Sequence, residues 1–261
     1  MALASVYETH PQDPTVAVES GVFQDHPEAA FYLGVIASPG IIYKPREYQA
    51  ARRLRANVYI DEKHFLPEEA RQRDGGESDV DDARSVHFAV IENRGNSELP
   101  RVVGTSRLIL KRDGSDRLPV ENLFPEAFGP SPAPDSSAEV SRYIARHSER
   151  SKQKAVSLAL IRAMTAWTLT ETRQPVYSIV ERPMVRLFDA IELPYEQISD
   201  PKMLPEYNTE NMAIELDPEA VFHSVRAEKH LAAAAMQAFF QKAEGNGGLG
   251  YFNENFGERL T

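Results

Sequence analysis

Between residues 102 and 145 the chain reads as buried β-strand, yet it carries Arg107, Glu139 and Arg142 inside those strands, and this conflict restricts its possible folds most. Residues 102–110, Val-Val-Gly-Thr-Ser-Arg-Leu-Ile-Leu, are β-branched and aliphatic, as a strand requires. Gly104 interrupts them, and a glycine inside a strand marks a bulge or the close approach of another group. Residues 138–145, Ala-Glu-Val-Ser-Arg-Tyr-Ile-Ala, alternate with period two. Strict alternation puts Val140, Arg142 and Ile144 on one face and Glu139, Ser141 and Tyr143 on the other. Charges in central strands are costly to bury unless paired and hydrogen-bonded. Two readings follow: a structural ion pair that locks register, or a catalytic site.

The flanking segments supply a frame. Residues 1–40, punctuated by Pro11, Pro14, Pro27 and Pro39, read as an N-terminal extension with a short helix around 27–33. Residues 41–43 suit a strand, and residues 45–62 a helix whose buried stripe is Ala51, Leu54 and Val58. Arg55 and Tyr59 lie four apart on the flank of that stripe, where they either reach a cleft or form a solvated rim. Phe65 follows in a short loop, and the acidic, glycine-containing run 74–82 reads as a solvated loop. It lacks the closing glutamate of a calcium loop.

Residues 86–92 and 102–110 form an expected hairpin, 118–128 a short helical turn, and 129–137 a proline- and serine-rich loop. A basic run, 146–154, leads into a helix ending near 172, with Val156, Leu160, Ile161, Met164 and Trp167 as its core stripe. Strand 175–181, helix 182–191, strands 195–198 and 211–216, and a helix over 218–243 complete the order. The expectation is an α/β (α+β) mixed sheet with helices on its faces: residues 41–217 as one domain, 218–261 as a C-terminal helix and tail.

Composition narrows the chemistry. The net charge of −10 argues against nucleic-acid binding. The absence of cysteine excludes disulfides and thiolate chemistry, and the seven histidines lack ligand spacing, so no metal is expected. No apolar run suits a membrane span, and residues 1–16 lack a secretory pattern, which makes a cytoplasmic location the expectation.

The element order and these charges resemble the GNAT-type acyltransferases, in particular the acyl-homoserine-lactone synthases, the N-acyl amino acid synthases and the exosortase-associated acyltransferases. The resemblance covers about residues 41–217 and is carried by Arg55 and Tyr59 with Phe65 beyond them, and by Asp79 and Asp82 ahead of a strand. Arg107, Phe124 and the Glu-x-Ser-Arg signature of Glu139, Ser141 and Arg142 complete it. Ser178 stands where the homoserine-lactone enzymes carry a Thr or Ser tied to acyl-chain selection. Phe65 replaces that family's tryptophan and Tyr59 its phenylalanine. Both changes fall where those synthases surround S-adenosylmethionine.

The resemblance implies a GNAT-like mixed twisted sheet with helices on both faces, and transfer of a fatty acyl group from an acyl-carrier-protein or acyl-CoA thioester to a small amine. The amine would be S-adenosylmethionine or an amino acid. Glu139 is the expected base, with Arg107 and Arg142 holding Asp79 and Asp82 and orienting Glu139. The thioester would lie between two splayed strands, those of Tyr143 and Tyr177. Gln153 stands where a pyrophosphate-binding loop has glycine, while Arg146, Arg150, Lys152 and Lys154 suit an acidic carrier protein. No tightly held cofactor is expected. A CoA-dependent acetyltransferase and a non-catalytic binding module are the alternatives.

Overall fold

Consecutive buried residues along the central strands Ser85–Asn93 and Arg101–Leu110 give them two buried faces, and each face selects its own helices. The computed structural model describes residues 30–93, 101–171, 174–205 and 207–221. Within them β1 (Ala30–Ser38), β2 (Ile41–Ile42), β3 (Ser85–Asn93), β4 (Arg101–Leu110), β5 (Ala138–Ala145), β6 (Val176–Glu181), β7 (Glu196–Gln197), β8 (Lys202–Leu204) and β9 (Thr209–Leu216) build one sheet. The strand order is β2-β1-β3-β4-β5-β6-β9-β7, with β8 also on β9. All described pairs are antiparallel except β5 with β6.

On β3, Val86, Phe88 and Val90 pack against Val156, Leu160 and Met164 of α3 (Arg150–Glu171). Ala89 and Ile91 face the other way, toward Ala51 and Tyr48 of α1 (Pro45–Ala56). The short α2 (Pro119–Leu123) shares the α1 side, where Leu118, Val120 and Phe124 pack with Ile109 and Tyr177. Phe188 of α4 (Arg182–Ala190) packs beside Ile161 of α3 on Val180 and Ile214. Gly104 marks the tightest approach of α3. A Cβ there would stand 2.5 Å from Val156 Cγ1, which is why the strand has no side chain at that point.

The first helix runs as expected from Pro45, whose missing N–H costs nothing at a helix start, and passes into a wider π-type turn over Asn57–Glu62. Two expectations change, and one strand was not foreseen. The helix around 27–33 is, over its described part, the strand β1, paired with β3 from Ala30 to Ala37; sheet pairing overrides the proline-based reading. β8, only three residues long, was too short to show alternation. Strict alternation along β5 fails at Arg142, as described below. Most of the extension 1–40, the turn after Asn93, and the helix and tail beyond Val221 lie outside the described residues. Among the described residues no helix is long and apolar enough to cross a membrane.

Candidate active site

Three arginines and three carboxylates close into a ring beneath the α1 face of β4 and β5. Arg55 grips Asp82 through two bonds of 2.9 and 3.0 Å and also pairs with Glu77. Glu77 pairs with Arg142 at 3.0 Å, and Arg142 with Asp79 at 3.0 Å. Arg107 takes Asp79 through bonds of 2.6 and 2.7 Å and returns to Asp82 at 2.6 Å. Each cation bridges two anions and each anion two cations, so formal charge cancels around the ring. That cancellation is what allows Arg55, Glu77 and Arg107 to be almost fully buried.

The local sequence builds this ring in three ways. Asp79 and Asp82 cap each other's backbone at the start of a 3₁₀ turn, a reciprocal capping box that fixes both carboxylates. Gly76 lies against α1, where a Cβ would meet Arg52 Cβ at 2.8 Å, and this contact carries Glu77 inward. On β5, Arg142 and Tyr143 oppose the single residue Ser106, and Arg142 adopts φ 54°. This bulge brings Arg142 to the side of Arg107, while Tyr143 donates its hydroxyl toward α3, to the Ser157 carbonyl at 2.7 Å. Left-handed backbone at an arginine is strained, and its two carboxylate partners hold it there.

The ring dictates protonation. Burial pushes the Asp82 carboxyl up, but Arg55 and Arg107 outweigh it and hold the group well below the usual carboxylate range. Asp79 is lowered in the same way, against its burial, mainly by Arg107. His87, edge-on to Tyr48 at 5.0 Å, is pressed by burial down to about 4 and is neutral.

Glu139 stands apart from the ring. The expectation that Arg107 and Arg142 orient it is not met: its Oε2 accepts the Val120 N–H at 2.8 Å, and the hydrogen bonds of the two arginines go to Glu77, Asp79 and Asp82. Burial raises its pKa to about 8, with Val120 N–H and the field of Arg107 opposing the rise. A carboxyl at that value exchanges a proton near neutral pH.

Beside Glu139 the sheet opens. β5 and β6 pair only from Ala138 with Val176 to Val140 with Ser178, then run on separately to Ala145 and Glu181. A cleft of about 1050 Å³ occupies the gap. Asp79, Arg107, Glu139, Ser141 and Arg142 line one wall, and Tyr59, Phe65 and Tyr207 form an aromatic flank. The ring centroids of Phe65 lie 6.2 Å from Tyr59 and 5.7 Å from Tyr207. Burial pushes the Tyr59 hydroxyl up to about 12, and it donates to the Tyr143 carbonyl. The inner end, between α3 and α4, is apolar, with Ile161, Met164, Leu187, Phe188, Leu193 and Val221.

A scan against protein-family models matches residues 50–217 to the N-acyl amino acid synthase FeeM. The chain belongs to this family. It is accordingly an amine-acylating acyltransferase on a GNAT-like fold. The same architecture recurs in solved structures of acyl-homoserine-lactone synthases. The synthase LasI superposes with a TM-score of 0.54 at 16% identity, covering 74% of this chain and 95% of its own. The CoA-dependent synthase BjaI, solved with SAM and isopentyl-CoA, gives 0.53 at 20% identity, covering 75% and 93%. At these identities the likeness is one of fold. No curated protein matches the chain.

The structure thus gathers Arg107, Arg142, Asp79, Ser141 and Glu139 at one cleft wall, with Tyr59 and Phe65 beside them and Ser178 on the lining, its Oγ donating to the Val140 carbonyl at 3.2 Å. Arg55 and Asp82 are not exposed to the cleft; they hold the wall from behind. Phe124 is a correction: it is fully buried among Ile109, Leu118 and Tyr177, away from the cleft. Of the basic run, Arg146 pairs with Glu62 and Lys152 with Glu149, while Arg150 and Lys154 stand exposed at the cleft mouth.

Two contributors were missed. Tyr207 lies in an irregular stretch with no periodic signal. Glu77, fully buried, sat in a run that reads as solvated loop. Charge counting offered no clue, because Asp79, Asp82 and Glu139 already matched Arg55, Arg107 and Arg142 in number.

Proposed function

We propose that the protein transfers a fatty acyl group from an acyl-carrier-protein thioester to the α-amino group of an amino acid. The observation that carries this reading is the divergence of β5 and β6 directly beyond Glu139, into a cleft polar at one wall and apolar at its inner end. The thioester lies in the gap with its acyl tail directed toward Phe188 and Leu193, and unpaired strand-edge amides of β5 and β6 face its carbonyl oxygen. The amine binds along the wall of Asp79, Ser141 and Arg142, flanked by Tyr59 and Phe65.

An α-amino group has a reference pKa of about 7.7–8.0 and arrives largely protonated. Glu139 in its ionised form, directly or through water, takes that proton. The free nitrogen attacks the carbonyl carbon and forms the C–N bond. The oxyanion then collapses, the C–S bond breaks, and the second proton that the nitrogen loses on becoming an amide passes to the departing thiolate. The ring is catalytically silent in this scheme; it keeps Asp79, Arg107 and Arg142 fixed while the substrates exchange.

An amino acid is favoured over a sulfonium because the aromatic faces already carry cations. Arg142 lies 5.4 Å from the Tyr59 centroid and Lys63 4.7 Å from that of Phe65. A carrier-protein donor is favoured because Gln153, where close backbone approach to a pyrophosphate needs glycine, lies at the mouth with Arg150 and Lys154.

The test is mass spectrometry of products after incubation with mixed acyl-carrier thioesters, acyl-CoAs, amino acids and S-adenosylmethionine. An N-acyl amino acid made from carrier thioester is expected. An acyl-homoserine lactone would overturn the acceptor, and turnover from CoA thioesters alone would overturn the donor.

A further inference from the structure

The Val120 N–H that meets Glu139 belongs to the first turn of α2, a helix of five residues. So short a helix has no stability of its own, and its position must be imposed by tertiary contacts. Glu121 imposes it. Its Oε2 accepts the Leu118 N–H at 2.7 Å, and its Oε1 accepts the Ala133 N–H at 3.0 Å and a proton of Lys111 Nζ at 2.9 Å. Lys111 directly follows β4, and its main chain is bonded on both sides to the segment entering β5, at 2.9 Å to the Ser137 carbonyl and 3.0 Å from the Ser136 N–H. Lys111 and Glu121 are 1% and 2% exposed.

One buried ammonium–carboxylate contact therefore ties the end of β4, the entry to β5 and the α2 turn together around Glu139. A buried pair of this kind adds little net stability compared with apolar residues of the same shape. What it supplies is direction.

We infer that Lys111 and Glu121 are positioning residues, fixing the amide that holds Glu139 and thereby the readiness of that carboxyl to take the substrate's proton. The inference rests on the reading of Glu139 as base. The charged and titratable groups around Glu139 are Arg107 from β4, Asp81 and Arg84 from the 3₁₀ turn, and Tyr177 opposite it on β6. The Val120 amide is the strongest influence opposing burial.

Two measurements on the full chain test this. The first follows the Glu139 carboxyl by ¹³C NMR across a pH titration, assigned by its loss in Glu139→Gln, in the wild type and in the Lys111→Met/Glu121→Met double variant. The double change removes the clamp without stranding either charge. The midpoint should rise by about one unit as the amide bond is lost. Glu121→Gln is the milder second variant and should shift it in the same direction.

The second measurement is the pH dependence of kcat. Its rising limb should move up with the midpoint, with about tenfold lower rate at pH 7 and recovery at high pH. An unmoved midpoint in a folded variant overturns the proposal, as does a rate loss that high pH does not recover. A shifted midpoint in a protein that transfers no acyl group would leave the clamp standing and refute the catalytic reading of Glu139.

Discussion

Glu139→Gln should stabilise the fold increasingly as pH rises, while abolishing acyl transfer. The folded carboxyl is raised to about 8, against 4.5 for an ordinary glutamate. Below 4.5 both folded and unfolded chains hold the proton. Between 4.5 and 8 only the folded chain holds it, so unfolding releases a proton and wild-type stability falls by about 1.4 kcal/mol per pH unit. Above 8 both states are ionised and the slope ends. Glutamine cannot ionise, so the variant's stability relative to wild type should climb by on the order of 3–5 kcal/mol between pH 5 and 8.

His87 contributes with the opposite sign. Its pKa is lowered to about 4, so the unfolded chain binds the extra proton between 4 and 6.5, and stability rises with pH there. Asp79 and Asp82, both depressed, act below the ordinary carboxylate value. All three are common to wild type and variant and cancel in the difference. Urea unfolding at pH 5, 6.5 and 8, with midpoints compared at constant m-value, measures it. A difference independent of pH would mean that Glu139 ionises normally in the fold, and would remove the basis for calling it a base tuned to neutral pH.

The remaining predictions concern the ring and the cleft. Glu77→Gln strips the shared charge from Arg55 and Arg142 and should cost about 3–5 kcal/mol in the same urea assay, as expected when one partner of a buried pair is removed; a cost under about 1 kcal/mol would show that the ring is not a buried unit. Ser178→Ala should alter acyl-chain preference more than total rate, read from competition between thioesters of different length; an unchanged product spectrum places Ser178 outside the acyl path. Val221→Phe, at the inner end of the cleft, should shift products toward shorter chains, and retention of the long-chain products would put the tail elsewhere.

The sequence alone settled the elements with strong periodicity. The α3 stripe from Val156 to Met164, the β3 and β4 hairpin strands, and Gly104 as a point of close approach all follow from side-chain spacing. Arg107, Glu139 and Arg142 were recognisable for a related reason: charge within a buried strand pattern is expensive and therefore informative. Tertiary structure decided everything that depends on segments far apart in the chain. Glu77 became central only because α1 folds over it, and Phe124 was withdrawn from the cleft because α2 turns it into the core.

Arg142 reached Asp79 only through a bulge that period-two reasoning excludes. Val120, not an arginine, came to hold Glu139. Periodicity is a local property that neighbouring residues encode, whereas the partner of a buried charge is chosen by three-dimensional proximity, and that exists only once the sheet and its helices have packed.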